Sequence, residues 1–300
     1  MRILLSGATG QLGRALHGNL TRLGEVSAPT RAAFDLAVEE SVRQTLDALR
    51  PDLIVNAAAY TAVDRAEEER GAAQQINARA PAIMAKWAAA HGSAILHYST
   101  DYVFDGKGRT PWKESDQTDP VNAYGATKRA GEIAIAESGA AHLIVRTSWL
   151  YDAQGANFAR TILRLARERS ELRIIDDQIG APTPAWWLAE ASIRILQQFG
   201  DGILFEGRRG GPLHAAPEGA TSWYGFAMAI IDGARERAMP LSVEKIVPIP
   251  TSEYPTPAAR PGYSVFDLSR LRTEFEISPP HWRDALAPVL DDITGKAQNS

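Results

Sequence analysis

The chain of 300 residues is 45% hydrophobic and 23% charged, the make-up of a globular protein with one large domain, or a large and a small one sharing a cleft. Its formal net charge of −4 offers no basic stripe for a nucleic acid backbone, and the lack of cysteine excludes disulfides, thiolate chemistry and sulfur-held zinc, as suits a cytoplasmic protein. No stretch reaches the roughly 20 apolar residues needed to cross a bilayer, and the six histidines are scattered, so neither a membrane nor a protein-held catalytic metal is expected.

The opening run "MRILLSGATG" turns from apolar residues straight to glycines with no small-residue cleavage site, so "RILLSG" reads as a buried strand and not a signal peptide. A helix is predicted from about Leu12, ended by Gly24 as its C′ residue. "EVSAP" is a second strand, "SVRQTLDALR" a helix stopped before Pro51, and "DLIVNAAA" a third strand, apolar enough to be covered on both faces. "ARAPAIMAKWAAAHG" reads as a helix ending at Gly92, "SAILHYST" as a strand, "AYGATKRAGEIAIAESG" as a helix and "HLIVRTSWL" as a strand. This alternation of strands and amphipathic helices predicts βαβ units and, with right-handed crossovers, a doubly wound parallel sheet.

From about Tyr151 the rhythm weakens. Helices in "FARTILRLARER", "AWWLAEASIRILQQFG" and "SWYGFAMAIIDGARERA" are separated by loops such as "PIPTSEYPTPAARPG", whose prolines forbid regular helix or central strand. A smaller, irregular C-terminal lobe is expected over 151–300, with some of its segments returning to the first domain, 1–150. The Trp186-Trp187 pair and the aliphatic stripe of "FARTILRLA" read as core.

Two patterns carry chemistry. In "ILLSGATGQLGRAL", Gly7 permits a tight exit from the strand, Gly10 lets the main chain approach a pyrophosphate, and Gly13 lets the helix pack closely on the sheet. The amides of Gln11 and Leu12 then sit at a helix N-terminus, where the dipole favours an anion. After the second strand come Thr30 and Arg31, where an NAD-selective protein usually carries an acidic residue. An arginine there pairs with a 2′-phosphate, which favours NADPH with NADH also accepted; a plain surface arginine is the alternative. The second pattern is Tyr124 and Lys128, four apart on one helix face, able to present a phenol and an ammonium to one ligand. On spacing alone a solvated helix face is the better reading.

The spacing Gly-x-x-Gly-x-x-Gly, followed by "HYSTDYVF" and "AYGATKRAGE", resembles the extended short-chain dehydrogenase/reductase superfamily, a Rossmann-like α/β fold. There Tyr-x-x-x-Lys is the catalytic pair, and a Ser or Thr at the end of the preceding strand, here Thr100, completes it. The resemblance sharpens over "RPDLIVNAAAYTAVDRAE", "HYSTDYVFDGKG", "YGATKRAGE", "RTSWLY", "NFARTILRLARER", "DDQIGAPT" and "YPTPAARPG", which are similar to the dTDP-4-dehydrorhamnose reductase family from residue 1 to about 290. It implies reduction of the 4-keto group of a nucleotide sugar by NAD(P)H.

By that resemblance Tyr124 gives the proton to the keto oxygen, Lys128 binds the nicotinamide ribose and lowers the phenol's pKa, and Thr100 hydrogen-bonds the reacting oxygen. Asp35 and Leu36 fall at the adenine; Ala59, Tyr60 and Thr61 along the ribose and phosphates; Tyr98 beside the cofactor. Thr100 and Asp101 line the sugar site, Trp149 contacts the substrate, and Asn157, Arg160 and Arg260 are candidates for its polar groups, Arg260 for the diphosphate unless it forms a structural salt bridge.

The residues also separate neighbouring activities. Sugar-nucleotide dehydratases place Asp-Glu after the Thr where this chain has Asp101-Tyr102, and epimerising reductases use a Cys and His pair that a cysteine-free chain lacks. A non-catalytic, cofactor-binding regulatory subunit is the competing class, and the intact Thr100, Tyr124 and Lys128 weigh against it. Some family members dimerise around Mg²⁺ held by glutamates; the corresponding places hold Ala15 and Trp186, so no such metal bridge is expected, leaving a monomer or a metal-free homodimer.

Overall fold

The computed structural model describes residues 1–199 and 210–295. Its first half runs β1 (Arg2–Ser6), α1 (Gln11–Leu20), β2 (Glu25–Ser27), α2 (Glu39–Leu49), β3 (Leu53–Asn56), α3 (Arg70–Gln74), α4 (Ala80–His91), β4 (Ala94–Thr100), α5 (Ala123–Ala136) and β5 (Ala141–Thr147). The second half runs β6 (Leu150–Tyr151), α6 (Phe158–Glu168), β7 (Glu171–Ile175), β8 (Ile179–Gly180), β9 (Thr183–Pro184), α7 (Ala185–Gln197), β10 (Gly211–His214), β11 (Thr221–Ser222), α8 (Trp223–Glu236), β12 (Lys245–Ile249), α9 (Ser269–Phe275) and α10 (Trp282–Thr294). The predicted second late helix reached Gly200, which lies outside the described residues.

Six strands form one parallel sheet in the order β10-β5-β4-β3-β1-β2. Strand order reverses between β1 and β3, so the switch point, where such sheets bind ligands beyond their carboxyl ends, lies above the glycine turn. Strand side chains alternate between two cores. Ile3, Leu5, Leu53, Val55, Leu96 and Val145 face α1 and α7. Leu4, Ile54, Ile95 and Ile144 face α2, α4 and α5. That doubly covered pattern is why these strands read as continuous apolar runs. A third core joins Ala159, Ile162 and Leu163 of α6 to Phe226, Ile230 and Ile231 of α8 and to Trp282 of α10.

Strand β10, some sixty residues beyond β5, returns to extend the sheet beside it. The short strands of the C-terminal half pair only in twos: β7 with β12, β8 with β11, β6 with β9. Pro248 sits in β12, a ribbon edge, as a missing amide requires.

Two local expectations are corrected. Helix α1 ends at Leu20, not Gly24; Gly24 is a glycine because a Cβ there would stand 2.0 Å from the Met1 carbonyl oxygen. Trp187 is core, but Trp186 is 38% exposed, its indole N–H reaching the Ala285 carbonyl at 3.3 Å.

Helix α5 is locked to the sheet by a buried ion pair. Arg146 of β5 donates from Nε and Nη2 to the two carboxylate oxygens of Glu132, at 2.9 and 2.7 Å, and its guanidinium lies 5.1 Å from the Phe104 ring centroid. Removing one partner strands a buried charge, which typically costs about 3–5 kcal/mol. Urea unfolding is therefore expected to show a loss of that size in Glu132→Leu and recovery of most of it in the Glu132→Leu/Arg146→Leu double variant; an unchanged midpoint in the single variant would refute the role given to this pair.

Candidate active site

The glycine turn is built for close approach. Gly7 has φ +72°, and a Cβ on it would meet the Ala58 amide nitrogen at 2.8 Å; one on Gly13 would fall 2.0 Å from the Gly7 carbonyl oxygen. Gly10 caps α1 with no side-chain hydrogen bond, and no acidic residue occupies the first turn. The helix thus presents uncapped amides at Gln11, Leu12 and Gly13 with the positive end of its dipole, the donor set a pyrophosphate requires. Ser6 and Asn56, which end β1 and β3, are buried beneath this turn.

Along the loops beside the turn the predicted cofactor residues divide. Arg31 is exposed and has no hydrogen bond or ion pair among the described residues, so its guanidinium is open to a phosphate; Thr30, also exposed, accepts the Ala33 and Phe34 amides at its carbonyl. Asp35 takes the Ala37 amide on its carboxylate at 3.0 Å. Leu36 is a correction: its side chain is buried in the α2–α4 core. Ala59, Tyr60 and Thr61 follow β3, and the Tyr60 hydroxyl is engaged, donating to Glu69 at 2.6 Å.

Sequence reasoning missed what holds that loop. Asn77, 1% exposed, accepts the Tyr60 amide at 2.8 Å and donates to the Tyr60 carbonyl at 3.1 Å and the Thr127 hydroxyl at 3.1 Å. It lies in a π-helical segment, Gln75–Arg79, that joins α3 to α4. A widened turn of this kind is common at functional sites but has no composition signature.

At the carboxyl end of β4 the catalytic candidates converge. Asn122 caps α5 by accepting the Gly125 amide at 2.8 Å, which starts the helix one residue before Tyr124. Gly125 lets α5 touch the chain after β4: a Cβ there would stand 2.1 Å from the Tyr102 carbonyl oxygen. The Tyr102 ring meets the Tyr124 ring edge-on at 5.5 Å. Thr100 donates to Asp101 Oδ1 at 3.0 Å, accepts the Tyr102 amide at 3.2 Å, and stands close enough to the Tyr124 phenol to act on its pKa. Lys128 is 2% exposed, which rules out the solvated helix face. Its ammonium donates to the Tyr98 carbonyl at 2.6 Å and lies 3.1 Å from His97 Nε2.

The titratable groups are pushed in different directions. Burial drives the Tyr124 phenol up to about 12; the Thr100 hydrogen bond eases this and the Asp101 carboxylate adds to it. The expected lowering by Lys128 is thus not what this environment does, because burial dominates and the ammonium is engaged elsewhere. Burial also brings Lys128 down to about 8, with Glu132 opposing, and lifts Asp101 to about 6 against its hydrogen bonds to Ser264 and Thr100. Asp101 Oδ2 is buried without a hydrogen-bond partner, an acceptor available to a hydroxyl.

The remaining candidates are arranged less simply. Tyr98 contributes only its carbonyl, since its phenol points to the α7 face and donates to Ser192 at 2.7 Å. Trp149 sits beyond β5 with φ +47°, stacked on Trp223 at 3.5 Å and packed so closely that a Cβ on Gly180 would lie 2.6 Å from its ring. Trp223 was not singled out from the sequence. Arg260 forms the structural alternative: Nη1 and Nη2 donate to the two oxygens of Asp64 at 3.0 and 2.8 Å. Asn157 is committed to capping α6 and to Gln11 Oε1, at 3.0 Å, and Arg160 is exposed and bonded to the Ala153 carbonyl.

Comparison with known proteins agrees over the whole chain. The family model described as the RmlD substrate binding domain matches residues 1–294. A dTDP-4-dehydrorhamnose reductase of Burkholderia thailandensis is 44% identical over 98% of this chain and 99% of its own length, and one of Escherichia coli 43% identical over 98% of each. Among solved structures, a Clostridium acetobutylicum dTDP-4-dehydrorhamnose reductase superposes with a TM-score of 0.88 at 34% identity, covering 97% of this chain and 99% of its own. A Bacillus anthracis dTDP-4-dehydrorhamnose reductase in complex with NADP gives 0.86 at 34% identity, with coverages of 96% and 98%.

The buried carboxyl of Asp101 makes a prediction independent of turnover. A carboxyl whose pKa is raised on folding, from 3.8 to about 6, stabilises fully below the lower value and loses that contribution as pH rises through the upper one. Asp101→Asn should therefore be more stable than wild type by on the order of 2 kcal/mol at about pH 8, with the difference vanishing near pH 4. Thermal unfolding at both pH values checks it, and a variant no more stable at the higher pH would contradict the burial argument.

Proposed function

The chain belongs to the dTDP-4-dehydrorhamnose reductase family, and from that we propose that it reduces the 4-keto group of dTDP-4-dehydro-6-deoxy-L-mannose to give dTDP-L-rhamnose, the last step of dTDP-rhamnose biosynthesis. The observation that carries this reading is the convergence of Thr100, Tyr124 and a buried Lys128 at the carboxyl edge of the sheet, next to an uncapped, glycine-lined helix N-terminus. We assign residues 1–150 chiefly to the dinucleotide and 151–300 chiefly to the sugar nucleotide. The protein works in the cytoplasm as a monomer or as a homodimer without a metal bridge.

When bound, NADPH supplies the hydride to the keto carbon. Gly7 and Gly10 would let the main chain approach its pyrophosphate, the free amides of Gln11, Leu12 and Gly13 would hold it, Arg31 would pair with its 2′-phosphate and Lys128 with its nicotinamide ribose. Tyr124 delivers the proton to the keto oxygen. A phenol near 12 keeps that proton across the physiological range, so the chain stands ready as an acid, the form a reduction needs. Thr100 donates a hydrogen bond to the developing alkoxide, Asp101 Oδ2 accepts one from a sugar hydroxyl, and Trp149 forms an apolar wall. Water is kept out by the Tyr102 ring packed on Tyr124 and by the Trp149–Trp223 stack.

A regulatory-subunit role would leave Tyr124 without a task. Following NADPH oxidation with dTDP-4-dehydro-L-rhamnose separates the readings: Tyr124→Phe should lower kcat by about 10²–10⁴-fold with little change in NADPH affinity. Undiminished turnover in that variant, or none in wild type, would end the enzymatic assignment. Steady-state kinetics with both nicotinamides test the cofactor preference: Arg31→Ala should raise KM for NADPH about tenfold and leave KM for NADH nearly unchanged. Equal ratios in the two proteins would remove Arg31 from the site.

A further inference from the structure

Beneath the active site a polar row crosses three strands. Register places Ser6 beside Asn56 and Asn56 beside His97, each the side chain facing α5 near the carboxyl end of its strand. All are at most 1% exposed. The Ser6 hydroxyl accepts the Ala58 amide at 3.3 Å and donates to Asn56 Oδ1 at 2.6 Å, Asn56 Nδ2 donates to His97 Nδ1 at 2.9 Å, and His97 Nε2 stands 3.1 Å from Lys128 Nζ. None of the three polar side chains touches a position assigned to substrate, and three hydrophobic residues would fill the same space without desolvating anything.

The direction of these bonds has a consequence for the lysine. With His97 Nδ1 accepting from Asn56, a neutral imidazole carries its hydrogen on Nε2 and offers a donor to Nζ. An amine accepts that hydrogen; an ammonium, which has only donors, cannot. Turning the Asn56 amide by half a rotation keeps its heavy atoms in place and reverses the chain. Asn56 Oδ1 then accepts from Nδ1–H, and Nε2 becomes an acceptor for the ammonium, while Ser6, a hydroxyl, serves in either direction.

We propose that Ser6, Asn56 and His97 are positioning residues for Lys128, forming a hydrogen-bond chain that reverses as a unit so that His97 bonds the buried lysine in either of its charge states. The titratable and charged groups on the elements packed around Lys128 are His97 on β4, Glu132 on α5 with its partner Arg146 on β5, Tyr124 on α5, and Asp101 and Tyr102 just past β4. Of these only His97 bonds the ammonium. Burial and the neighbouring ammonium both hold the imidazole well below its ordinary pKa, so it stays neutral, and burial brings the lysine near 8, where the exchange between the two arrangements falls. His97 thereby fixes the ammonium without competing for its charge.

The chain itself is tested without turnover, by long-range proton–nitrogen NMR of the imidazoles in the full-length protein, with the His97 signals identified by their absence from His97→Gln. Near pH 7 His97 should be neutral with its hydrogen on Nδ1, and between about pH 6.5 and 9.5 it should pass to the Nε2–H form, a change absent in Lys128→Met. An imidazolium at neutral pH, or a tautomer that does not change over that range, would overturn the proposal. The bearing on cofactor binding rests on the assignment of Lys128 to the ribose and is read separately, from NADPH fluorescence titrations against pH. Loss of one charge-assisted hydrogen bond in His97→Leu should move the alkaline fall in NADPH affinity down by about one to two pH units. His97→Gln, which keeps an acceptor, should restore it; equal profiles in all three proteins would refute the positioning role even where Tyr124→Phe behaves as expected.

Discussion

A positive charge with almost no access to water is the constraint around which this molecule is arranged. Lys128 is held against the underside of the sheet by the Tyr98 carbonyl and the His97 ring, one turn along α5 from the phenol it accompanies. Burying an ammonium is costly unless its hydrogens are matched, and here β4 supplies both partners. The Glu132–Arg146 pair clamps the same helix one turn further on, and Asn122, Gly125 and Asn77 fix its start. The position of Tyr124 is therefore inherited from a scaffold much larger than the pair itself.

The same environment distributes protons. Three groups of this site are displaced by one cause, loss of water, yet in chemically opposite senses: the phenol and carboxyl are pushed toward neutrality from one side and the lysine from the other. The result is a site in which an acid remains loaded at neutral pH and the cation beside it is close to balance. A reductase needs that polarity, since each turnover consumes a proton at the oxygen while the carbon receives a hydride.

Much of this was legible in the chain because it depends on local rules. The glycine turn, the strand and helix alternation, the Tyr124–Lys128 spacing and Thr100 at a strand end all follow from backbone sterics and periodicity, and the structure brings them to one edge of one sheet. What was not legible depends on partners distant in sequence. Arg260 meets Asp64 across 196 positions, so a residue suited to a diphosphate is found in a salt bridge. Trp223 stacks on Trp149 from a helix seventy residues on, and Asn77 acts through a π-helical turn that no pattern announces. Leu36 and Tyr98 were expected beside a cofactor by resemblance, but strand and loop geometry turns their side chains into the core.

Strand β10 has an implication for how the protein comes into being. Until residues 211–214 emerge, β5 has a bare edge, and until α7 is made the face bearing Leu5, Val55 and Leu96 lacks one of its two covering helices. A nascent chain of the first 150 residues thus carries an unpaired parallel edge and an exposed apolar surface, the features that invite association with other unfinished chains. The first half of the chain is complete only after the second has begun to fold, so the two are joined at birth and separate expression of the first would yield an adhesive fragment and not a working module.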